Sequence, residues 1–158
     1  MTQSIKMATG TIKRVIAFRL KPGMDVLNGL KEVCEKENIK NGIILSGIGS
    51  LDGAVFCNPV PLKDKKAGYG YGNPTTLYGP IELTNISGMI CHDDDENILL
   101  HVHVSLSDQH GTGHGGHLIE GTKVLLTTDM VIAELEGIAM GRKYDENLEV
   151  PIFAPKQY

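Results

Sequence analysis

The chain has 158 residues and a formal charge of −4, from 15 Lys and Arg against 19 Asp and Glu. That length fits one domain, with enough chain to bury a core without disulfide or metal staples. The charge excludes a globally basic surface of the kind that neutralises a phosphate backbone. No apolar run approaches the roughly 20 residues needed to span a membrane.

Residues 1–10 carry no signal-peptide core. They read as a flexible arm on a soluble, cytoplasmic protein without a membrane partner. Cys34, Cys57 and Cys91 are odd in number and form no CxxC pair. They read as buried free thiols of a reducing compartment.

Ile12 to Leu20 alternates as a first strand, ended by Lys21-Pro22-Gly23. Asp25 suits a helix N-cap. Val26, Leu27, Leu30, Val33 and Cys34 then form one helical stripe that should stop near Asn38. Gly29 interrupts this stripe at a cost of up to about 1 kcal/mol relative to alanine. Ile43-Ile44-Leu45 opens a buried strand. Ser46-Gly47-Ile48-Gly49-Ser50 lacks the Lys-Ser/Thr of a phosphate loop and reads as a strand bending at its glycines. Leu51-Asp52-Gly53 is a hairpin signal, with Ala54 to Cys57 as the return strand.

Residues 58–79 form the least regular stretch. Tyr69, Tyr71 and Tyr78 either line a pocket or subunit contact or pack locally on a surface loop; the sequence leaves both open. Ile81 to Cys91 is a strand with Gly88 as an expected bulge. His92 to Asn97 is a solvated hairpin turn, too short and glycine-free for a calcium loop. Lys123 to Leu135 is a further strand, and Gly137 to Asp145 a final short strand or extended piece. The proline-punctuated tail from Leu148 to Pro155 reads as a segment that packs across a neighbouring subunit.

Five of the six histidines lie between His101 and His117. Ile98, Leu100, Val102, Val104 and Leu106 alternate with His101, His103, Ser105 and Ser107. This is a half-buried strand with both histidines on the face away from the core. Their Cα atoms stand roughly 7 Å apart at about 3.4 Å per residue, so two imidazoles can converge on one ion. Zinc requires three or four ligands. Gly111, Gly113, Gly115 and Gly116 allow the chain to fold back and bring His117 beside the pair. His110 and His114 compete for the third position from the flexible part of the loop and rank below His117. On pattern alone, solvated histidines and a metal site stay equally open.

His101-Val-His-Val-Ser-Leu-Ser-Asp108, then Gly115-Gly116-His117-Leu118, Gly121 and Val124, resemble the signature of the plants-and-prokaryotes conserved domain (PPC or PCC). Phe18-Arg19-Leu20 with Gly23 and Asp25, Ser46-Gly47-Ile48-Gly49-Ser50-Leu51, and Glu82-Leu83 with Ser87-Gly88 fit the same order. The resemblance implies an α/β (α+β) fold, a single domain whose largely antiparallel sheet is packed by one main helix. It implies a domain over residues 11–145, followed by an extended tail at 146–158. It also implies a homotrimer with a metal, zinc or another divalent transition ion, at His101, His103 and His117.

Three function classes follow. The first is a metal-binding trimeric module whose ion is structural or holds a small-molecule ligand. The second is a hydrolase or lyase using the open fourth zinc position. Asp108, Glu82 and Glu120 are then acid–base candidates, Asp129 is a supporting group for a ligand histidine, and no catalytic residue is assigned. The third is DNA binding or regulation, the label the family carries. Lys63, Lys65 and Lys66 are broken by Asp64, the run Asp93 to Glu96 repels phosphate, and no Arg-Gly-Arg-Pro hook is present.

Overall fold

The alternating stretches become strands, and the 3.6-residue stripe becomes a helix. The computed structural model describes residues 5–158, so the first four residues of the predicted arm lie outside the described residues. In chain order the elements are β1 (Thr11–Leu20), α1 (Val26–Lys36), β2 (Gly42–Leu51), β3 (Ala54–Cys57), β4 (Pro59–Pro61), β5 (Tyr69–Tyr71) and β6 (Thr75–Leu77). They continue as β7 (Ile81–His92), β8 (Ile98–Asp108), β9 (Gly113–Leu118), β10 (Val124–Glu136), β11 (Ile138–Asp145) and β12 (Val150–Gln157). The result is a single domain with a mostly antiparallel sheet and one main helix, as expected. No helix among the described residues is long and apolar enough to cross a membrane.

The main sheet runs β1-β10-β2-β7-β8-β9-β3-β6, with the β11–β12 hairpin attached to β7. Its inner face carries Leu51, Leu83, Ile86, Ile90, Val102, Leu106 and Ile132, all buried. Helix α1 closes this face with Val26, Leu30 and Cys34. A Cβ on Gly29 would lie 2.7 Å from Leu20 Cδ2. The low-propensity glycine is therefore what lets the helix sit against the end of β1. Burial pushes the Cys34 thiol up to about 12, with Glu35 adding to the effect. Burial likewise pushes the Cys91 thiol to about 11, with Arg142 opposing.

Asp25 is the N-cap: one carboxylate oxygen accepts from Asn28 N–H at 3.0 Å. The other accepts from Gly121 N–H at 2.7 Å and ties the helix start to the turn before β10. Asp25→Ala removes both bonds. The expected loss, read as a lower urea midpoint at unchanged slope, is about 1–2 kcal/mol.

Two expectations change. Leu51-Asp52-Gly53 is not a hairpin: β2 pairs with β10 and β7, while β3 pairs with β6 and β9. Gly53, at φ +90°, instead turns the chain onto the far end of the sheet, and Asp52 N–H donates to Lys123 O. Strands consecutive in sequence but so far apart in the ladder require the sheet to curl strongly. Gly88 is not a bulge either; the register shift in β7 falls between Leu83 and Asn85. In β2 the ladder with β10 slips at Leu45, which leaves Leu45 and Ser46 both exposed, and again between Gly49 and Leu51.

The stretch 58–79 is more regular than its composition suggests. β4 and β5 form a small hairpin, and β6 adds to the edge of β3. At the chain's end β12 pairs along all of β11. Gln157 and Thr9 exchange hydrogen bonds, so the arm's last residues rest beside β12.

Candidate metal centre

The site is built by two neighbouring strands. On β8, Val102, Val104 and Leu106 are buried, so His101 and His103 project from the opposite face. β9 returns antiparallel with His117 directly across from His103. Residues opposite each other in a ladder point to the same face, and this brings the third imidazole to the first two.

The return depends on a turn and two close approaches. Gly111 takes φ +82° and donates to Asp108 O at 3.0 Å. A Cβ on Gly115 would lie 2.5 Å from Val104 O, and one on Gly116 would lie 2.4 Å from Asn58 Oδ1. The glycines therefore hold β9 tightly between β8 and β3.

Asp108 organises the turn. Its carboxylate accepts from Thr112 N–H and His110 N–H, both at 2.9 Å, and faces His114 Nε2 at 3.3 Å. The Thr112 N–H, then those of His110 and the His114 ring, hold its carboxyl at about 2, below the usual 3.8. The ionised form is therefore favoured by folding. Its contribution is complete above the unfolded value near 4 and is lost as pH falls toward 2. Thermal melts between pH 4 and 2 are expected to show a fall in midpoint that is smaller in Asp108→Asn.

The three rings stand with centroids 5.1, 5.3 and 5.2 Å apart. One ligand-capable nitrogen from each lies within 4.8 Å of the others. Nε2 of His101 and Nε2 of His103 are 3.1 Å apart. Two nitrogens on one tetrahedral zinc, each about 2.0–2.1 Å from the ion, stand roughly 3.3–3.4 Å apart, so little movement is needed.

The electrostatics favour the neutral form of His101 and His117, the form that binds metal. Burial lowers the His101 value to about 4, helped by Arg142, His103 and His117. Burial first, then His103 and Arg142, lowers that of His117. Nδ1 of His117 is buried without a hydrogen-bond partner among the described residues. The donor set and geometry fit a divalent transition ion.

The other sequence candidates lie elsewhere. His114 sits opposite Leu106 and turns to Asp108, and His110 is exposed in the turn. Glu82 pairs across from Ser107, four residues along β8 from His103, and is exposed. Asp129 is on β10, beside Arg19 and Ile48, and accepts from Thr127 Oγ1. Asp108 and Glu120 are also outside the ligand group.

Tyr71 does reach the site, with its ring 5.0 Å from that of His117. Tyr69 and Tyr78 are exposed. Arg142, from β11, was not foreseen. Together with Val150–Phe153 of β12 it walls a cavity over His101 and His117. Its only signal in the sequence was Gly141-Arg142 in a late strand, which carries no spacing to the histidines.

Fold and site together define a single-domain β protein with a three-histidine cluster on the outer face of its sheet. The chain belongs to the Plants and Prokaryotes Conserved (PCC) domain family, whose model matches residues 7–136. A plant- and prokaryote-conserved (PPC) protein from Pyrococcus horikoshii is 30% identical, with a TM-score of 0.77, covering 94% of this chain and 97% of that one. A metal-containing protein from Archaeoglobus fulgidus is 26% identical, with a TM-score of 0.79, covering 94% and 99%. The bifunctional protein GlmU of a Synechococcus strain (JA-3-3Ab) is 30% identical over 128 residues, 81% of this chain. The chain spans about a fifth of the length of the curated relatives it matches.

Proposed function

We propose that this chain is a metal-binding PCC-domain module that holds one zinc, or another divalent transition ion, at His101, His103 and His117 and works as a homotrimer. The carrying observation is the convergence of three imidazole nitrogens from β8 and β9 within 4.8 Å. An all-nitrogen set suits zinc and its neighbours in the transition series. The metal-containing name of the Archaeoglobus relative supports the same reading. When bound, such an ion supplies a Lewis-acid position open to a small molecule. The chain's own part is to hold His101 and His117 neutral beside the cavity under β12.

Assembly is supported by apolar side chains on the outer face of the sheet. Val15, Leu45 and Ile48, from β1 and β2, are 45–55% exposed. Beside them a hollow lined by Ile43, Met89, His101 and His103 continues the face to the metal ligands. Apolar surface of this kind is what subunit contacts cover. Calorimetric titration of the metal-free chain with zinc is expected to give one site per chain, and light scattering three times the 17.1 kDa chain mass. A monomer at micromolar concentration contradicts the trimer, and no zinc uptake contradicts the metal.

DNA binding is the competing reading, carried by the label the family bears. Its expected mark is affinity for duplex that falls steeply with salt. The basic groups give it little footing: Lys143 faces Asp94 at 3.5 Å, and Lys66 Nζ donates to Glu146 O. Anisotropy of labelled duplex across a salt series separates the two readings.

A further inference from the structure

We propose that the cavity between the histidines and the β11–β12 hairpin binds a small organic monocarboxylate, its head shared by Arg142 and the metal and its body lying on β12. The inference rests on the metal reading and adds the ligand class.

The cavity measures about 470 Å³, within the range of small-molecule sites, roughly 300–1,000 Å³. Tyr71, His101, His117 and Arg142 form its polar side, and Val150–Phe153 its apolar side. Arg142 is the one fixed cation in this lining, which holds neither lysine nor acid. Among the described residues it makes no ion pair. One guanidinium nitrogen, Nη2, donates to Pro151 O at 2.6 Å, which fixes the plane of the group. Its Nε is buried without a partner among the described residues. A buried donor left unmet is costly, and a planar guanidinium is best met by a two-oxygen acceptor.

The donor count and the wall select the ligand. One planar guanidinium and one open metal position suit the two oxygens of one carboxylate. The apolar wall of Val150, Ile152 and Phe153 and the ring of Tyr71 favour a hydrocarbon or aromatic body over a sugar-like one. This wall lies after residue 136, past the span matched to the family.

The test is calorimetry on the zinc-loaded chain with three probes: hexanoate, inorganic phosphate and 1-hexanol. Hexanoate is expected to bind more tightly than either of the others. Arg142→Gln should weaken hexanoate roughly tenfold or more, with zinc stoichiometry unchanged. Probe selectivity needs only the unaltered chain, so a folding defect in the variant does not remove the test. A zinc-loaded chain that ignores hexanoate, or prefers phosphate or hexanol, overturns the pocket and leaves the metal reading standing. Hexanoate binding unchanged in a folded Arg142→Gln variant overturns the role of the arginine. Arg142-dependent hexanoate binding by a chain that takes up no zinc overturns the metal reading and the metal's share of the carboxylate, and leaves the arginine pocket standing.

Discussion

His101→Ala/His103→Ala is expected to abolish zinc binding while leaving the fold in place. Both side chains leave β8 on the face opposite Val102 and Val104, so their removal opens no cavity in the core. One imidazole remains, and a single neutral ligand does not retain zinc against water. Removing a supporting group near a metal costs roughly 10- to 100-fold in affinity, so losing two direct ligands should exceed that range. His110→Ala and His114→Ala are expected to keep a full equivalent, because neither ring enters the cluster. Elemental analysis and circular dichroism on the same samples check both halves. A double variant that still holds one metal per chain refutes the assigned ligands.

Gly88→Ala is expected to damage fold and site together. Gly88 lies opposite Val102 in the β7–β8 ladder, next to the Met89–His101 pair. A Cβ there would stand 2.4 Å from His101 O and 2.9 Å from Val102 Cα. Those are backbone atoms, so no rotamer relieves the clash; the strands must part where His101 is anchored. Overpacking of this kind costs on the order of 1–3 kcal/mol. Zinc affinity should fall with it, because His101 moves relative to His117. Denaturant melts of the metal-free protein and a zinc titration check this. Unchanged stability would show that β7 and β8 have slack at this point.

These two cases also mark what the sequence conveys and what it hides. The alternation from Ile98 to Ser107 is local, so it announces the strand, its core face and the shared face of His101 and His103. The stripe from Val26 to Cys34 and the cap at Asp25 are local as well. The glycines before His117 signal a return, and the ladder delivers it opposite His103. Curvature is not local. Leu51-Asp52-Gly53 looks like a hairpin because the turn chemistry is right, yet the strand after it joins β9 and β6 at the other end of the sheet. Gly88 looks like a bulge because a strand glycine has two uses, and only the neighbouring strand's distance shows that this one permits close approach. Arg142 is silent for the same reason. Its strand meets β7 through the single Gly141–His92 bridge, and no pattern within β11 predicts that contact.

Whether three histidines from two strands hold one metal can be read from the purified protein. The direct measurement is metal content per chain, by elemental analysis of protein purified without a histidine tag. Close to one divalent transition ion per chain is expected, zinc foremost, lost on chelation and restored by adding zinc. A chain that is metal-free as purified and stays so when zinc is offered contradicts this. The three imidazoles would then be a polar cluster on the sheet face with no ion to hold.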